Sequence, residues 1–146
     1  MQILYSMKFN SQICTTKEQS ERLLALGLKK ETADCCWEYK PKHLADTNYD
    51  WVVTTHSPIG TDIPAWSRHK LLEMLPTKLE YYGVELVVTK HSAYYQNWYW
   101  GPDGEPRWIC IGNGKAGTSD NIYEHIVSVI EWLINKGYFN KEYLEE

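Results

Sequence analysis

Residues 78–114 have the sequence KLEYYGVELVVTKHSAYYQNWYWGPDGEPRWICIGNG, in which apolar and aromatic residues largely alternate with polar ones. The pattern is interrupted at residues 91–93 and again at residues 101–104, where proline and glycine are typical of a turn. Because successive side chains point to opposite faces of a strand, this period predicts an antiparallel meander. Gly83 marks either a bend in one long strand or a tight turn between two.

Aromatic side chains dominate the middle of this region. The two-residue period places Tyr94, Trp98 and Trp100 on one face of a strand. The turn at residues 101–104 then brings Trp100 and Trp108 onto paired strands. With one face of the sheet under the C-terminal helix, the opposite aromatic face must be either covered or used for binding. We therefore predict that Trp98, Trp100 and Tyr94 form an interaction surface.

The end of the meander leads into the most regular helical pattern of the chain. Residues 107–111 are almost continuously apolar, which favours an interior position in the sheet. Residues 120–136 then have an apolar stripe at helical spacing, and Gly137 is a typical helix end. The stripe consists of Ile122, Ile126, Val129, Ile130 and Leu133. We expect this helix to pack on one face of the sheet.

The first half of the chain predicts shorter helices. A capping box begins the first of them, with either Thr15 and Glu18 or Thr16 and Gln19 as its partners. Residues 30–38 have the spacing of a second short helix, and residues 66–75 form a third. The predicted fold class is α+β, as a single domain over residues 1–146. It combines an antiparallel four- to five-stranded meander, a long C-terminal helix on one face and short N-terminal helices.

The composition excludes some classes of function. The chain has 146 residues with 11 Tyr, 7 Trp and a formal net charge of −4. Binding to a nucleic-acid backbone requires a basic surface, so it is not expected. No apolar run approaches the roughly 20 residues that span a bilayer, and the first residues lack the long apolar region of a signal peptide. We therefore expect a cytoplasmic protein that does not bind a membrane.

The cysteines and histidines do not have the spacing of a metal motif. The four cysteines are Cys14, Cys35, Cys36 and Cys110, and none of them form a C-x-x-C pair. Buried thiols are the expected interpretation, because free cysteine is among the most buried residue types. The candidate histidine ligands are His56, His69, His91 and His125. No pair among these histidines and the cysteines matches a known zinc spacing. No metal and no cofactor are predicted.

Two short phrases invite comparison with a catalytic motif. Thr55-His56-Ser57 and Lys90-His91-Ser92 are similar to the paired histidines of two-histidine phosphoesterases, which act as acid and base. Those enzymes place a hydroxyl two residues after each histidine, where this chain has Pro58 and Ala93. No nucleophile elbow is present either. Surface histidines are the expected interpretation, and a catalytic role for His56 or His91 is the alternative.

A glycine-rich connection could hold an anion. Between Gly112 and Asp120, backbone N–H groups, a helix N-terminus, Asn113 and Lys115 could surround a negatively charged group. Ala116 stands where a Walker A loop needs Ser or Thr, so this is not a nucleotide-binding loop of that class. The alternative is a simple turn from strand to helix, with Ser119 or Asp120 as N-cap.

A second candidate ligand site lies before the third helix. Trp66 and Arg68 could stack on and pair with a planar anionic ligand. The alternative is that Trp66 packs in the core while Arg68 is solvated.

Three segments resemble a known group of proteins. They are LLALGLKKETAD at residues 23–34 with Trp37, IPAWS at residues 63–67 with LLEMLP at residues 71–76, and EWLINKGY at residues 131–138. Together they are similar to small uncharacterised proteins carried by phages and mobile elements of gut Bacteroides-type bacteria. The resemblance covers most of the chain and implies a genomic setting, but no particular activity.

The predicted function is that of a non-enzymatic binding protein of phage or mobile-element origin. It would act through its aromatic sheet face and form a homo-oligomer. The genomic setting extends this expectation to countering a host defence, by holding a host protein or a small nucleotide ligand. The alternatives are a small hydrolase or nucleotide-processing enzyme using His56 or His91, and a structural subunit.

Overall fold

The computed structural model describes residues 11–41, 48–112 and 119–146. Within these ranges the chain forms three α-helices and six strands, apart from two short 3₁₀ turns. The helices are α1 (Lys17–Ala25), α2 (Arg68–Glu73) and α3 (Ile122–Lys136). The strands are β1 (Cys35–Pro41), β2 (Tyr49–Thr54), β3 (Ile63–Ala65), β4 (Glu85–Val88), β5 (Ala93–Trp100) and β6 (Pro106–Ile111).

The strands form two antiparallel sheets of three strands each. The first sheet has the order β2-β1-β3, and the second has the order β4-β5-β6. In the first, Cys36 lies opposite Thr54 on one side and Pro64 on the other. The α+β class is confirmed, whereas the predicted meander of four to five strands is wrong, because the meander has only three.

The meander is shorter because Gly83 belongs to a tight turn. Tyr82 and Gly83 both have positive φ angles, of 53° and 64°, and the Val84 N–H donates to the Tyr81 carbonyl at 3.2 Å. Left-handed conformations at both central residues are the mark of a type I′ turn. The segment before the turn contributes only an isolated bridge, between Lys78 and Glu85. Of the two alternatives for Gly83, the turn is therefore the one observed.

The predicted helix over residues 30–38 is also wrong. Only Lys30–Thr32 is helical, as a single 3₁₀ turn, and β1 begins at Cys35. This strand is the centre of its sheet, so its backbone is hydrogen-bonded to β2 and β3 at the same time. Those two ladders outweigh a local helical spacing that contains Cys and Trp, which are weak helix formers.

The interior position predicted for residues 107–111 is wrong, since β6 is an edge strand of the second sheet. Its continuous apolar character has another cause. The face of β6 towards the core carries Ile109 and Ile111, while its other face carries Trp108 and Cys110, which are exposed. An exposed tryptophan therefore imitates the composition of a strand that is buried on both faces.

The C-terminal helix packs as the apolar stripe predicts. Four of the five stripe residues are fully buried, Ile122 is partly buried, and α3 contacts β5 of the second sheet. Gly137 ends the helix with a φ of 78°, a left-handed conformation that glycine adopts readily. The N-cap is Asn121, whose side chain accepts from the Tyr123 and Glu124 N–H groups, so the predicted caps Ser119 and Asp120 are wrong.

The remaining helices complete the core beside α3. Helix α1 begins with the second of the two predicted capping boxes, formed by Thr16 and Gln19, and it contacts α3 and β3. Helix α2 is capped by the Ser67 side chain. Leu23 and Leu71 bring these two helices into the main core. No helix in the described ranges has the length and apolar character needed to cross a membrane.

Candidate functional site

Three exposed tryptophans lie together on the second sheet. Trp98, Trp100 and Trp108 are 62%, 76% and 46% exposed, and we call these three residues the tryptophan surface. Trp98 and Trp108 are directly opposed in the register of β5 and β6. Their ring centroids are 4.7 Å apart, with an angle of 55° between the ring planes. Large aromatic side chains are rarely left in contact with water in this way.

The outward orientation of Trp98 and Trp100 follows from the position of Tyr95 on the opposite face of β5. Tyr95 alternates with Tyr94 along β5 and points into the core, where it is fully buried. Its hydroxyl donates to the Pro76 carbonyl at 2.6 Å, and burial raises the pKa of this phenol. Because side chains alternate along the strand, an anchored Tyr95 directs Trp98 and Trp100 away from α3.

The tryptophan surface contains two of the three residues predicted for an interaction surface. Trp98 and Trp100 are well exposed, and Tyr94 lies on the same face, opposite Val87 and half-buried. Trp108 joins them through the register of the strands. The sequence pattern placed Trp108 on a paired strand, but it did not predict that Trp98 is its direct partner.

The residues predicted for a ligand site near α2 are not both available. Trp66 is fully buried, and its Nε1–H donates to the Thr32 hydroxyl at 2.9 Å. Arg68 is the exposed first residue of α2. This arrangement corresponds to the packing alternative, because a ring enclosed in the core cannot stack on a ligand.

The candidate anion loop lies largely outside the described residues. Asn113 and Lys115 fall in residues 113–118, so their prediction is neither supported nor opposed by the structure.

The two catalytic candidates lie beside different sheets, since His56 follows β2 and His91 lies between β4 and β5. The His56 Nδ1 is hydrogen-bonded to the Ser57 carbonyl at 2.9 Å. His91 instead has its Nδ1 3.2 Å from the Asp120 carbonyl, beyond the β4–β5 turn. His56 and His91 therefore do not form a paired catalytic site of the two-histidine type.

His56 belongs instead to a group of three different side chains on the first sheet, which we call the Cys36 cluster. It consists of Cys36, Glu38 and His56, whose potential ligand atoms all lie within 4.8 Å of one another. The Cys36 Sγ is 3.7 Å from His56 Nδ1 and 3.9 Å from Glu38 Oε1. The His56 Nε2 contacts Glu38 Oε1. The Thr54 hydroxyl is 3.0 Å from the thiol.

The surroundings determine the protonation of this cluster. Burial is the first cause that raises the pKa of the Cys36 thiol, and the nearby Asp62 and Glu38 carboxylates raise it further. The pKa of His56 is raised, first by its hydrogen bond to the Ser57 carbonyl and then by Glu38. The thiol is therefore neutral at neutral pH and is not activated as a nucleophile.

Sequence spacing could not reveal this cluster because β1 was not predicted. In a strand, Cys36 and Glu38 share a face, whereas in a helix they would not. The register that pairs Cys36 with Thr54 then brings in His56, two residues beyond Thr54. The neighbouring Cys35 packs with Cys14 on the other side. Cys14, Cys35 and Cys36 are buried as expected, but Cys110 is exposed.

Comparison of the chain with family models, with curated proteins and with solved structures gives no match. Function is therefore argued from the two surface features alone, the tryptophan surface and the Cys36 cluster.

Proposed function

We propose that this protein is a non-enzymatic binding protein that acts through the tryptophan surface, and that a second copy of the chain occupies this surface. The observation that carries the proposal is the exposure of Trp98, Trp100 and Trp108 on adjacent strands. Tryptophan is the residue type most enriched among the residues that dominate binding energy at protein interfaces.

The area of the surface suits a protein partner. A tryptophan can bury up to about 250 Å², so the exposed parts of these three side chains supply on the order of 400 Å². That is about half of the roughly 800 Å² that each partner contributes to an interface of standard size. Tyr94 and Val87 extend the same face on β4 and β5. Two copies placed face to face bury on the order of 800 Å² through these tryptophans, about half of a standard interface of roughly 1,600 Å², and neighbouring residues of the same face supply the rest.

The arrangement of the rings supports a protein partner over a nucleotide. Trp98 and Trp108 pack directly against each other, with ring centroids 4.7 Å apart, so a flat base cannot be stacked between their two rings. The net charge of −4 also opposes the approach of phosphate groups. A host protein is the other partner that the resemblance to phage and mobile-element proteins suggests, through the same surface.

The alternative function, a small hydrolase or nucleotide-processing enzyme, draws on His56 alone. This histidine contacts the Glu38 carboxylate and lies near the Cys36 thiol, as a base would lie near a nucleophile. However, the Ser57 carbonyl already accepts from its Nδ1, and the thiol is not activated. This favours the binding function.

The proposal is tested by measuring the mass of the purified protein in solution, by native mass spectrometry and light scattering. We expect the wild-type chain to be a dimer and the Trp98→Ser/Trp100→Ser double variant to be a monomer. Ile59→Ser is the matched control, because Ile59 is a comparably exposed apolar residue, at 72%, on a loop before β3. It should leave the dimer intact.

Two results would contradict the proposal. A monomeric wild-type chain at concentrations near 100 μM would exclude a second copy as the occupant, because a standard interface gives dissociation constants of about 1 μM or below. A dimer that persists in the double variant would place the interface elsewhere. A monomer that binds a host protein through the same residues would replace the second copy with that partner.

A further inference from the structure

The Cys36 cluster brings together the donor atoms that zinc prefers. Zinc is bound in proteins by cysteine sulfur, histidine nitrogen and carboxylate oxygen, and this combination is rare among the ligands of magnesium or calcium. Here one donor of each kind is present, within 4.8 Å of the others. The geometry points to a zinc site, with Cys36 Sγ, Glu38 Oε1 and His56 Nε2 as its three protein ligands.

The distances between the potential ligand atoms of the Cys36 cluster can be compared with those in a tetrahedral zinc site. With a Zn–S distance of about 2.3 Å and Zn–N and Zn–O distances of about 2.0–2.1 Å, ligand atoms lie roughly 3.3–3.6 Å apart. The Cys36 Sγ is 3.9 Å from Glu38 Oε1 and 3.7 Å from His56 Nδ1, the ring nitrogen that does not bind the ion, and each of the three residues has a potential ligand atom within 4.8 Å of the others. His56 Nε2 and Glu38 Oε1 are in direct contact, closer than two ligands of one tetrahedral ion, so binding of zinc moves these two side chains apart.

The hydrogen bonds around the cluster orient each ligand. A carbonyl oxygen can only accept, so the 2.9 Å contact with Ser57 requires the proton on His56 Nδ1. Nε2 contacts Glu38 Oε1 and lies 3.3 Å from the Thr54 hydroxyl. Once the ion displaces the proton between Nε2 and Glu38, the Nε2 lone pair faces the ion, as in a metal-bound histidine whose other nitrogen donates to a carbonyl. Lys40 Nζ is 3.4 Å from Glu38 Oε2, which leaves Oε1 for the ion. The Thr54 hydroxyl can donate to the sulfur.

The charges balance when the ion binds. Zinc replaces the thiol proton of Cys36, which passes to water, and it displaces any proton shared by His56 and Glu38. A thiolate, a carboxylate and a neutral imidazole then neutralise the charge of the ion. The side chains of His56 and Glu38 are 48% and 22% exposed, so a fourth position faces solvent and would hold a water molecule.

Two features of the fold support a preformed site. Cys36 and Glu38 are adjacent on one face of β1, the central strand of its sheet. Thr54 is fixed opposite Cys36 by the strand register, so His56 follows at a defined position. Cys36 and Glu38 are thus held on a paired strand, which positions ligands more exactly than a loop does, and His56 lies two residues past the end of β2.

The test uses the full-length chain, freed of metal and titrated with zinc chloride alone by calorimetry. We expect one ion per chain, and we expect His56→Asn and Glu38→Gln to weaken binding at least about tenfold, the loss found even for outer partners of metal ligands. His91→Asn is the matched control, because its sequence context is similar and its ring lies in the connection between β4 and β5, beside the Asp120 carbonyl. It should bind zinc like the wild type.

Cobalt substitution tests the sulfur ligand directly. A cobalt–thiolate bond gives a charge-transfer band in the near ultraviolet, which should be present in the wild type and in Cys110→Ser but absent in Cys36→Ser. Circular dichroism establishes whether Cys36→Ser folds. If it does not fold, the His56→Asn and Glu38→Gln variants still test the site. Saturable zinc binding that all three variants retain, a cobalt complex without the thiolate band, or no binding to the wild type would each overturn the proposal.

Discussion

Gly112 directly follows β6 and lies close to Val129 of α3. It has a φ of 95°, and a Cβ added there would lie 2.9 Å from Val129 Cγ2. Gly27 has almost the same φ, 97°, with no heavy atom within 4 Å of an added Cβ. The two glycines therefore share one conformational requirement but differ in their surroundings.

We predict that Gly112→Ala destabilises the protein more than Gly27→Ala does. The left-handed conformation costs either variant about 1–2 kcal/mol, and the contact with Val129 costs Gly112→Ala a further ~1–3 kcal/mol. The free energies of unfolding of both variants are measured with urea. Equal losses would mean that the strand end moves away from the helix without cost.

The predicted site residues show why single positions differ in how well they can be predicted. That Trp98 and Trp100 share a face could be predicted, because this depends only on the two-residue period of one strand, and both side chains are exposed in the structure. Trp66 lies beside a polar segment in the sequence, and its burial depends on contacts with Thr15 and Thr32. These partners are more than 30 residues away, so a local pattern contains no information about them.

At the level of elements, α1 is joined to α3 by a polar network. Glu124 accepts from Gln19 Nε2 at 2.7 Å and from Arg22 at 2.8 Å. These contacts lower the pKa of Glu124, with the hydrogen bond from Gln19 as the first cause. A carboxylate whose pKa is lowered on folding stabilises the protein above its unfolded pKa, and this contribution is lost as the pH falls through the folded value.

We therefore expect Glu124→Gln to flatten the pH dependence of stability below the ordinary carboxyl pKa of 4.5. The network is about one third exposed, so we expect a contribution of about 1 kcal/mol or less at neutral pH. Urea unfolding at about pH 7 and about pH 3.5 measures the difference on either side of the usual glutamate range. Glu18→Gln, which removes an exposed acid on α1, should retain the wild-type pH dependence, and an unchanged slope in Glu124→Gln would contradict the prediction.

The elements also differ in how far the sequence predicts them. Helix α3 was correctly predicted because its five stripe residues repeat at 3.6-residue spacing over four turns. The strand β1 was not, since its seven residues bury only the first two completely and the rest of its stability comes from two neighbouring strands. The first sheet, and with it the Cys36 cluster, could only be found once those pairings were known.

At the level of the whole molecule, the segment after α3 closes on the segment after α1. The Lys29 N–H donates to the Tyr143 carbonyl at 2.8 Å, and the Glu145 N–H donates to the Gly27 carbonyl at 2.7 Å. Leu28 lies between these bonds, 1% exposed, in a bridge with Leu144. Residues more than 100 positions apart thus enclose one edge of the core.

We predict that Leu28→Ala lowers the free energy of unfolding by about 2–5 kcal/mol, the range for a buried leucine. Leu24→Ala is the control, because Leu24 lies on the exposed side of α1, at 36%, and should cost below about 1 kcal/mol. Hydrogen exchange of the Lys29 amide provides a second measurement. Exchange as fast as in an unfolded peptide would show that the closing segment is not held in solution.

The two proposed sites lie on different sheets, so each can be tested without the other. The tryptophan surface belongs to β5 and β6, and the Cys36 cluster to β1 and the residues after β2. A variant that abolishes dimerisation should therefore still bind zinc, and the reverse should hold as well. Failure of one proposal leaves the other standing.

The unequal burial of the indole rings also gives the molecule two optical populations. Trp66 is enclosed, with its Nε1–H bonded to Thr32, so its emission is expected at shorter wavelength and beyond the reach of a dissolved quencher such as iodide. Trp98 and Trp100 face water, which shifts their emission to the red and leaves it open to quenching. The emission of Trp66 can thus serve as a reference, while the emission of Trp98 and Trp100 reports binding at the tryptophan surface without an attached dye.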